Sequence, residues 1–291
     1  MKSSLAPLLA VALSALVPAT PADAAPQKHP RSGEAQPPAP TPTAAPSVPA
    51  PAAAASTAPA PTPSPQELAV QDVALKVDRY QTKAARDAVA ALPNVSNPDA
   101  PLALALGRLL DQERKYPDAV AMLQKAVALA PADPAPEIAL GDVLLKAQKG
   151  GEANAAWQKA ADLAAARVAA NASDAEAWRA QGAAQLRLKQ ADAASASLEK
   201  ARTLDGGDPR TLFPLALTRG LQARWADSVD LLNATVDKDP AYALAYYYRA
   251  FAQDKVGRKD RMVIDLDTFV KLAPSSVEAD RAKLILSAAR R

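Results

Sequence analysis

The stretch from residue 100 to residue 133, APLALALGRLLDQERKYPDAVAMLQKAVALAPAD, decides how the rest of the chain is interpreted. Leucines recur at helical spacing in its first half, and alanine, leucine and valine do so in its second half. Gly107 in the first half and Ala119 and Ala126 in the second are small residues that let two helices approach closely. Pro131 follows, and a residue without an N–H group ends a helix. The stretch therefore predicts two amphipathic helices joined by a tight turn.

The same pattern returns along the chain at a period of about 34 residues. Each later copy places a small residue of its first helix ahead of a large apolar residue of its second. The pairs are Gly141 with Trp157, Gly182 with Leu198, Ala216 with Leu232, and Ala250 with Leu266. On these residues, the chain over 100–276 resembles the tetratricopeptide-repeat (TPR) family, in a secreted or periplasmic form.

The resemblance implies an all-α fold, an α-solenoid of helix-turn-helix repeats. One such hairpin cannot bury its apolar face alone, so each repeat is expected to be covered by the next one. The resemblance also implies a concave groove lined by the first helix of each repeat, which holds a protein or peptide partner.

Segments of different character flank the repeats. Residues 1–24 are typical of a signal peptide, with a lysine near the start, a short apolar run and small residues at 22 and 24. We expect export to a bacterial periplasm and no transmembrane segment after cleavage. Residues 25–65 are rich in proline, alanine, serine and threonine, which predicts a disordered linker. This linker acts either as a spacer or as a target for a proline-binding partner.

Three further features of the helical part are predicted from spacing. Residues 66–99 have the pattern of a degenerate hairpin that lacks the Leu-Gly pair. Residues 277–291 are expected to form a C-terminal capping helix with Val277, Leu284 and Leu286 turned inward. Seven extra residues separate the second and third repeats, and they predict a second helix about two turns longer than the others.

Composition argues against several classes of function. The chain has no cysteine and a single histidine, His29, which falls in the predicted linker. Thiol chemistry and cysteine-based metal sites are therefore excluded, and no catalytic constellation, cofactor site or metal site is expected. The formal net charge is +3, from 34 basic and 31 acidic residues. Charges of both signs are mixed along the repeats, which argues against nucleic-acid binding.

The candidate site is the concave groove, whose lining we infer from each residue's offset within its repeat. Arginines beside aromatic rings in the later repeats favour a peptide with acidic and apolar side chains, or a free carboxylate. The predicted groove residues are Arg179, Arg187, Arg210, Phe213, Tyr247, Tyr248, Phe251 and Lys255. The clamp of lysines and asparagines found in chaperone-binding members of the family is absent, since Val70, Ala74, Leu104 and Ala183 occupy the comparable positions.

The sequence is compatible with three functions. The first is a periplasmic scaffold that binds a protein or peptide partner in its groove. The second is a structural subunit of an envelope complex for secretion, division or outer-membrane assembly. The third is a solenoid that binds cell-wall glycan, with Tyr247, Tyr248 and Trp225 as stacking platforms.

Overall fold

A computed structural model describes residues 63–93 and 95–290, so the predicted signal peptide and nearly all of the predicted linker lie outside the described residues. In the described part, every regular element is a helix. The helices pair into hairpins in chain order, and a single helix follows the last pair. They are α1 (Pro65–Asp78), α2 (Thr82–Ala90), α3 (Ala100–Gln112), α4 (Tyr116–Leu129), α5 (Pro134–Lys146), α6 (Gly150–Ala170), α7 (Ala175–Arg187), α8 (Ala191–Asp205), α9 (Pro209–Leu221), α10 (Trp225–Lys238), α11 (Ala243–Lys255), α12 (Lys259–Leu272) and α13 (Val277–Ala289).

Aspartates mark the start of the first helix in four consecutive repeats. Asp99, Asp133, Asp174 and Asp208 each accept a hydrogen bond from a backbone N–H group of the first helical turn. A carboxylate at this position satisfies an N–H group that has no partner within the helix and interacts favourably with the helix dipole. These caps fix where α3, α5, α7 and α9 begin, and so fix the register of the concave surface.

The turns inside the first five hairpins share one backbone conformation, which no residue type in the sequence marks. Two residues after the end of α1, α3, α5, α7 and α9, the chain adopts a left-handed conformation, with φ between 57° and 62°. The residues are Tyr80, Arg114, Gln148, Lys189 and Ala223, none of them glycine. The next N–H group bonds back to the carbonyl five residues earlier, as from Gln81 to Lys76 at 2.9 Å, which is the Schellman arrangement. Each such residue costs about 1 kcal/mol, which the packing of the hairpin must offset.

The predicted small-to-large pairs form the core of the repeats. A Cβ atom added to Gly107, Gly141 or Gly182 would lie 2.4–2.5 Å from the side chain of the paired large residue. In the later repeats Ala216, Leu232, Ala250 and Leu266 have no exposed surface. The resulting all-α solenoid agrees with the fold predicted from the sequence.

The spacing between the second and third repeats also has the predicted consequence. Helix α6 has 21 residues, whereas α4, α8, α10 and α12 have 14 or 15. Its extra turns end in Asn171, and Asp174 then caps α7. The extension increases the distance in sequence between the first helices α5 and α7 without changing how α7 begins.

The terminal helix differs from its prediction in one respect. Leu286 is buried in α13 as expected, but Val277 and Leu284 are 50% and 69% exposed. The buried positions are instead Ala279, Ala282 and Ile285, because the small alanines allow α13 to lie close against α12. The inward placement of Val277 and Leu284 was therefore wrong, and the outer face of this helix carries apolar side chains.

Gly141 gives a direct test of the close approach between paired helices. A methyl group at this position would meet the indole of Trp157, whose Nε1 donates to Asp142 at 3.2 Å. We expect Gly141→Ala to lower the free energy of unfolding by about 1–3 kcal/mol, as is usual for overpacked core positions. Urea unfolding followed by circular dichroism measures the change.

Gly151 provides the matched control. It lies in the first turn of α6, and an added Cβ would have no atom within 4 Å. Gly151→Ala should leave stability unchanged or raise it slightly, because alanine favours helix. Equal stability of the two variants would contradict the packing described here.

Candidate functional site: the concave cavity

The first helices of the repeats surround a cavity of about 510 Å³. Side chains from α3, α5, α7, α9 and α11 line it, and Asp78, Tyr80 and Glu278 add to its wall from either end of the described chain. The exposed side chains of Lys146, Glu176 and Arg210 mark where the cavity meets solvent. A second depression of about 630 Å³ lies beside α6 and shares Leu145 and Arg187 with the cavity.

One wall of the cavity is a ladder of ion pairs between successive first helices. Arg108 of α3 contacts Asp78 at the end of α1 at 2.5 Å, and Lys146 of α5 contacts Asp111 of α3 at 2.6 Å. Arg187 of α7 bonds both carboxylate oxygens of Asp142 on α5, at 2.5 and 2.6 Å. We call these three pairs the ion-pair ladder. It ties the repeats together and leaves the wall without net charge.

The pKa values of the ladder's bases are set by two opposing effects. Burial lowers the pKa of Arg187 and of Lys146, but the paired carboxylates of Asp142 and Asp111 raise it more, so both pKa values lie above their ordinary ones. A base with a raised folded-state pKa stabilises the fold below its unfolded pKa, and this contribution is lost only as the pH rises through the folded pKa. Arg187 and Lys146 are therefore charged at neutral pH.

The facing side of the cavity carries aromatic rings. The ring centroids of Phe213 and Tyr242 lie 5.0 Å apart, and those of Phe213 and Tyr248 lie 5.6 Å apart. We call Tyr80, Phe213, Tyr242 and Tyr248 the aromatic wall. Burial, followed by the negative charge of Glu278, raises the pKa of Tyr248 to about 12. Burial, followed by Asp78, raises the pKa of Tyr242 even further, so these hydroxyl groups keep their protons.

The turn after α1 closes one side of the cavity by reaching the last repeats. The ring of Tyr80 packs against the core around Tyr247 and Phe269, which is more than 160 residues away in sequence. Beside it, Arg79 Nε lies 3.1 Å from Asp239 Oδ2, and Arg114 Nη2 lies 2.8 Å from Asp280 Oδ2. We call this set of contacts the closure. Because of it, residues from both ends of the described helices line one side of the cavity.

The structure brings together five of the eight predicted groove residues. Arg179, Arg187, Arg210, Phe213 and Tyr248 line the cavity. Their role in binding stays a prediction.

The other three predicted groove residues lie elsewhere. Tyr247 is 2% exposed and packs edge-on against Phe251, within the core between α11 and α12. Phe251 is 6% exposed and belongs to the same core. Lys255 is exposed beyond the end of the cavity, with its Nζ 5.9 Å from the ring centre of Trp225. A rotation of about 100° per helical residue puts Tyr248 on the cavity side and the adjacent Tyr247 inside.

The cavity residues that sequence reasoning does not find include Tyr80, Tyr242 and Glu278. Tyr242 precedes α11 as its N-cap residue, and Tyr80 lies in a turn, so neither has a place in the first-helix offset. Glu278 reaches the cavity only because the closure brings α13 towards α1. No local signal in the sequence marks any of the three.

Two further properties of the described residues concern membranes and metals. No helix there is both long enough and apolar enough to cross a bilayer. In residues 63–93 and 95–290, no group of three or more histidine, aspartate or glutamate side chains has the arrangement of a metal site.

Comparison with known proteins supports the fold. TTC0263, a thermophilic TPR protein of Thermus thermophilus, aligns with a TM-score of 0.51 and 16% identity, over 65% of this chain and 98% of its own. The alignment with YrrB, described as a TPR protein with an unusual peptide-binding site, has a TM-score of 0.37 and 20% identity, over 64% and 92%. PilF of Pseudomonas aeruginosa aligns with a TM-score of 0.38 and 14% identity, over 76% of this chain and 97% of its own.

No protein-family model matches the chain, and no curated protein matches it. The comparisons therefore support the fold class of the described residues. The described chain is a TPR-like α-solenoid, and its first hairpin contributes Asp78 and Tyr80 to the concave cavity.

The closure can be tested by distance measurement, because the chain has no cysteine and accepts a label at any chosen pair of sites. We expect Tyr80→Ala to reduce energy transfer between dyes attached at Lys83→Cys and Lys283→Cys. Loss of a half-buried aromatic ring costs about 1–2 kcal/mol, which increases the open population roughly 5- to 30-fold.

Gln148→Ala is the control, since Gln148 occupies the equivalent left-handed turn position after α5. That variant should give the energy transfer of the parent chain. If Tyr80→Ala also left the energy transfer unchanged, the contact of the first hairpin with the last repeats would not be what holds the cavity closed.

Proposed function

We propose that the protein is an exported scaffold whose concave cavity binds a segment of a protein partner. The observation that carries the proposal is the cavity itself. Five successive first helices direct aromatic rings and basic side chains into a single space of about 510 Å³, which is within the range of about 300–1,000 Å³ typical of ligand pockets.

Arg179 supplies the strongest unused hydrogen-bonding capacity in this space. Its side chain is 15% exposed, and its nearest carboxylate is Glu176 at 3.9 Å, which is beyond hydrogen-bond distance. A guanidinium group has five N–H donors, and within the described residues none of those of Arg179 is hydrogen-bonded. Arg210, one repeat further along, bonds only to Asp208, the residue that caps its own helix.

The pair gives a test of the cavity as a binding surface. Arg179→Glu combined with Arg210→Glu replaces N–H donors with carboxylates at the cavity wall. We expect at least a tenfold reduction in partner recovered from a periplasmic extract, because each substitution replaces N–H donors with acceptors, and a lost hydrogen bond to a charged group costs about 1.5–3 kcal/mol. Quantitative mass spectrometry of the captured proteins measures the reduction in recovered partner.

Arg202→Glu serves as the control, since Arg202 lies on the second helix α8 and is exposed. Unchanged capture by the double variant would exclude the concave cavity and favour the outer surfaces, as in a structural subunit of an envelope complex. The exposed Val277 and Leu284 of α13 give that alternative a surface for association. The glycan-binding alternative loses Tyr247, which is buried in the core.

Export is proposed from residues 1–24 and the sites for signal peptidase at Ala22 and Ala24. In a Gram-negative host, the protein released by osmotic shock should begin at Ala25, and N-terminal sequencing checks this. Replacing Ala22 and Ala24 by lysine should stop cleavage and retain the chain in the membrane fraction. A protein that keeps Met1 and stays in the cytoplasm would contradict the proposal.

A further inference from the structure

A small apolar space lies between α9, α10 and α11 and adjoins the concave cavity. Its volume is about 60 Å³, and the rings of Trp225 and Phe251 form part of its wall. Leu186, Leu217 and Tyr248 line both this space and the cavity, so the two meet along these residues. In the described part of the chain, none of the side chains that line it is charged. We call this space the side pocket.

The side pocket is present because one first helix lacks a side chain at a position that is filled in the others. The last residue but one of α3, α5, α7 and α11 is Asp111, Leu145, Leu186 and Asp254, respectively, whereas in α9 it is Gly220. The ring of Trp225 covers part of the gap, since a Cβ atom on Gly220 would lie 3.1 Å from its Cζ3 atom. What remains is an uncharged gap where one side chain is missing.

An aliphatic side chain is the group that suits this gap. Poorly ordered water beside apolar groups is displaced favourably by an apolar group, and contact with Trp225 and Phe251 removes that group from water. A charged group would lose its hydration without gaining a partner. Leu145 and Leu186 show that leucine is accommodated at the equivalent position of two other repeats. The vacancy in α9 therefore matches a leucine side chain.

We propose that the side pocket is a specificity pocket of the concave cavity and takes a leucine side chain of the partner segment. The segment lies in the cavity beside Leu217 and Tyr248, which belong to both spaces. Its leucine enters the side pocket and packs against Trp225 and Phe251. The inference rests on the proposed function, because it assigns a residue type to the segment that the cavity receives.

Nuclear magnetic resonance of the isotope-labelled full chain tests the proposal, because the indole N–H group of Trp225 reports on the side pocket. The peptide acetyl-Gly-Leu-Gly-amide should shift this resonance saturably. The matched peptide acetyl-Gly-Asn-Gly-amide has a polar side chain of similar shape and should leave it in place. Trp157 donates to Asp142 and Trp178 donates to the carbonyl of Ala172, so their resonances serve as internal references that neither peptide moves.

Substitutions at Gly220 close the side pocket. Gly220→Leu restores the side chain that the other first helices carry and should abolish the shift caused by the leucine peptide. Gly220→Ala is the milder variant, since alanine favours helix and its methyl group meets only the edge of the Trp225 ring. It should weaken peptide binding severalfold. Gly151→Leu, at an exposed helical position where an added Cβ atom meets nothing within 4 Å, should bind as the parent chain does.

Three results would overturn the inference: a Trp225 resonance that the leucine peptide leaves in place, an equal shift with the asparagine peptide, or a shift that survives in Gly220→Leu. Partner capture separates this inference from the proposed function. If Arg179→Glu with Arg210→Glu reduces the recovered partner and Gly220→Leu does not, the cavity binds its partner without the side pocket, and only the inference fails. If neither variant changes recovery, the proposed function fails as well.

Discussion

The contact between a small residue on one helix and a large residue on the next is the constraint on which the structure depends. Gly141 and Trp157 show how much it determines. Because the glycine has no side chain, the indole lies against the α5 backbone, and its N–H group reaches Asp142 on the same helix. Asp142 also holds Arg187 of the following repeat. Packing inside one hairpin therefore positions the polar contact to the next.

This coupling explains why the polar residues of the cavity wall recur at equivalent positions in successive repeats. In an α-helix, residues on one face bury against the partner helix, and those rotated away from it face the concave side. Because α3, α5, α7 and α9 are each capped by an aspartate, the polar residues of these successive repeats come into register. The ion-pair ladder follows from that register. Each of its pairs is a modest interaction taken alone, but the pairs share helices, so they act on the spacing of the whole row.

Much of the fold follows from the sequence because periodicity is a local property that each repeat displays. The core positions, the long helix α6 and five of the predicted groove residues follow from offset within a repeat. The closure cannot be derived this way, since it depends on the sum of small rotations over all repeats, including the one with seven extra residues. The left-handed turn residues Tyr80 and Arg114 carry no glycine signal. Val277 and Leu284 were misplaced because the alanines of α13, and not its large residues, set the helix contact.

The closure also changes which repeats of the solenoid are expected to unfold first. In an open repeat array, stability is close to a sum of neighbour interfaces, and the terminal repeats open first. Here the short first hairpin, whose α2 has only nine residues, is held by Tyr80 against the last repeats as well as by its own neighbour. The Arg114–Asp280 pair is exposed and contributes little, so the half-buried ring of Tyr80 and the partly buried Arg79–Asp239 pair hold the contact. A ligand that fills the cavity and touches Tyr80 therefore stabilises both ends of the array at once.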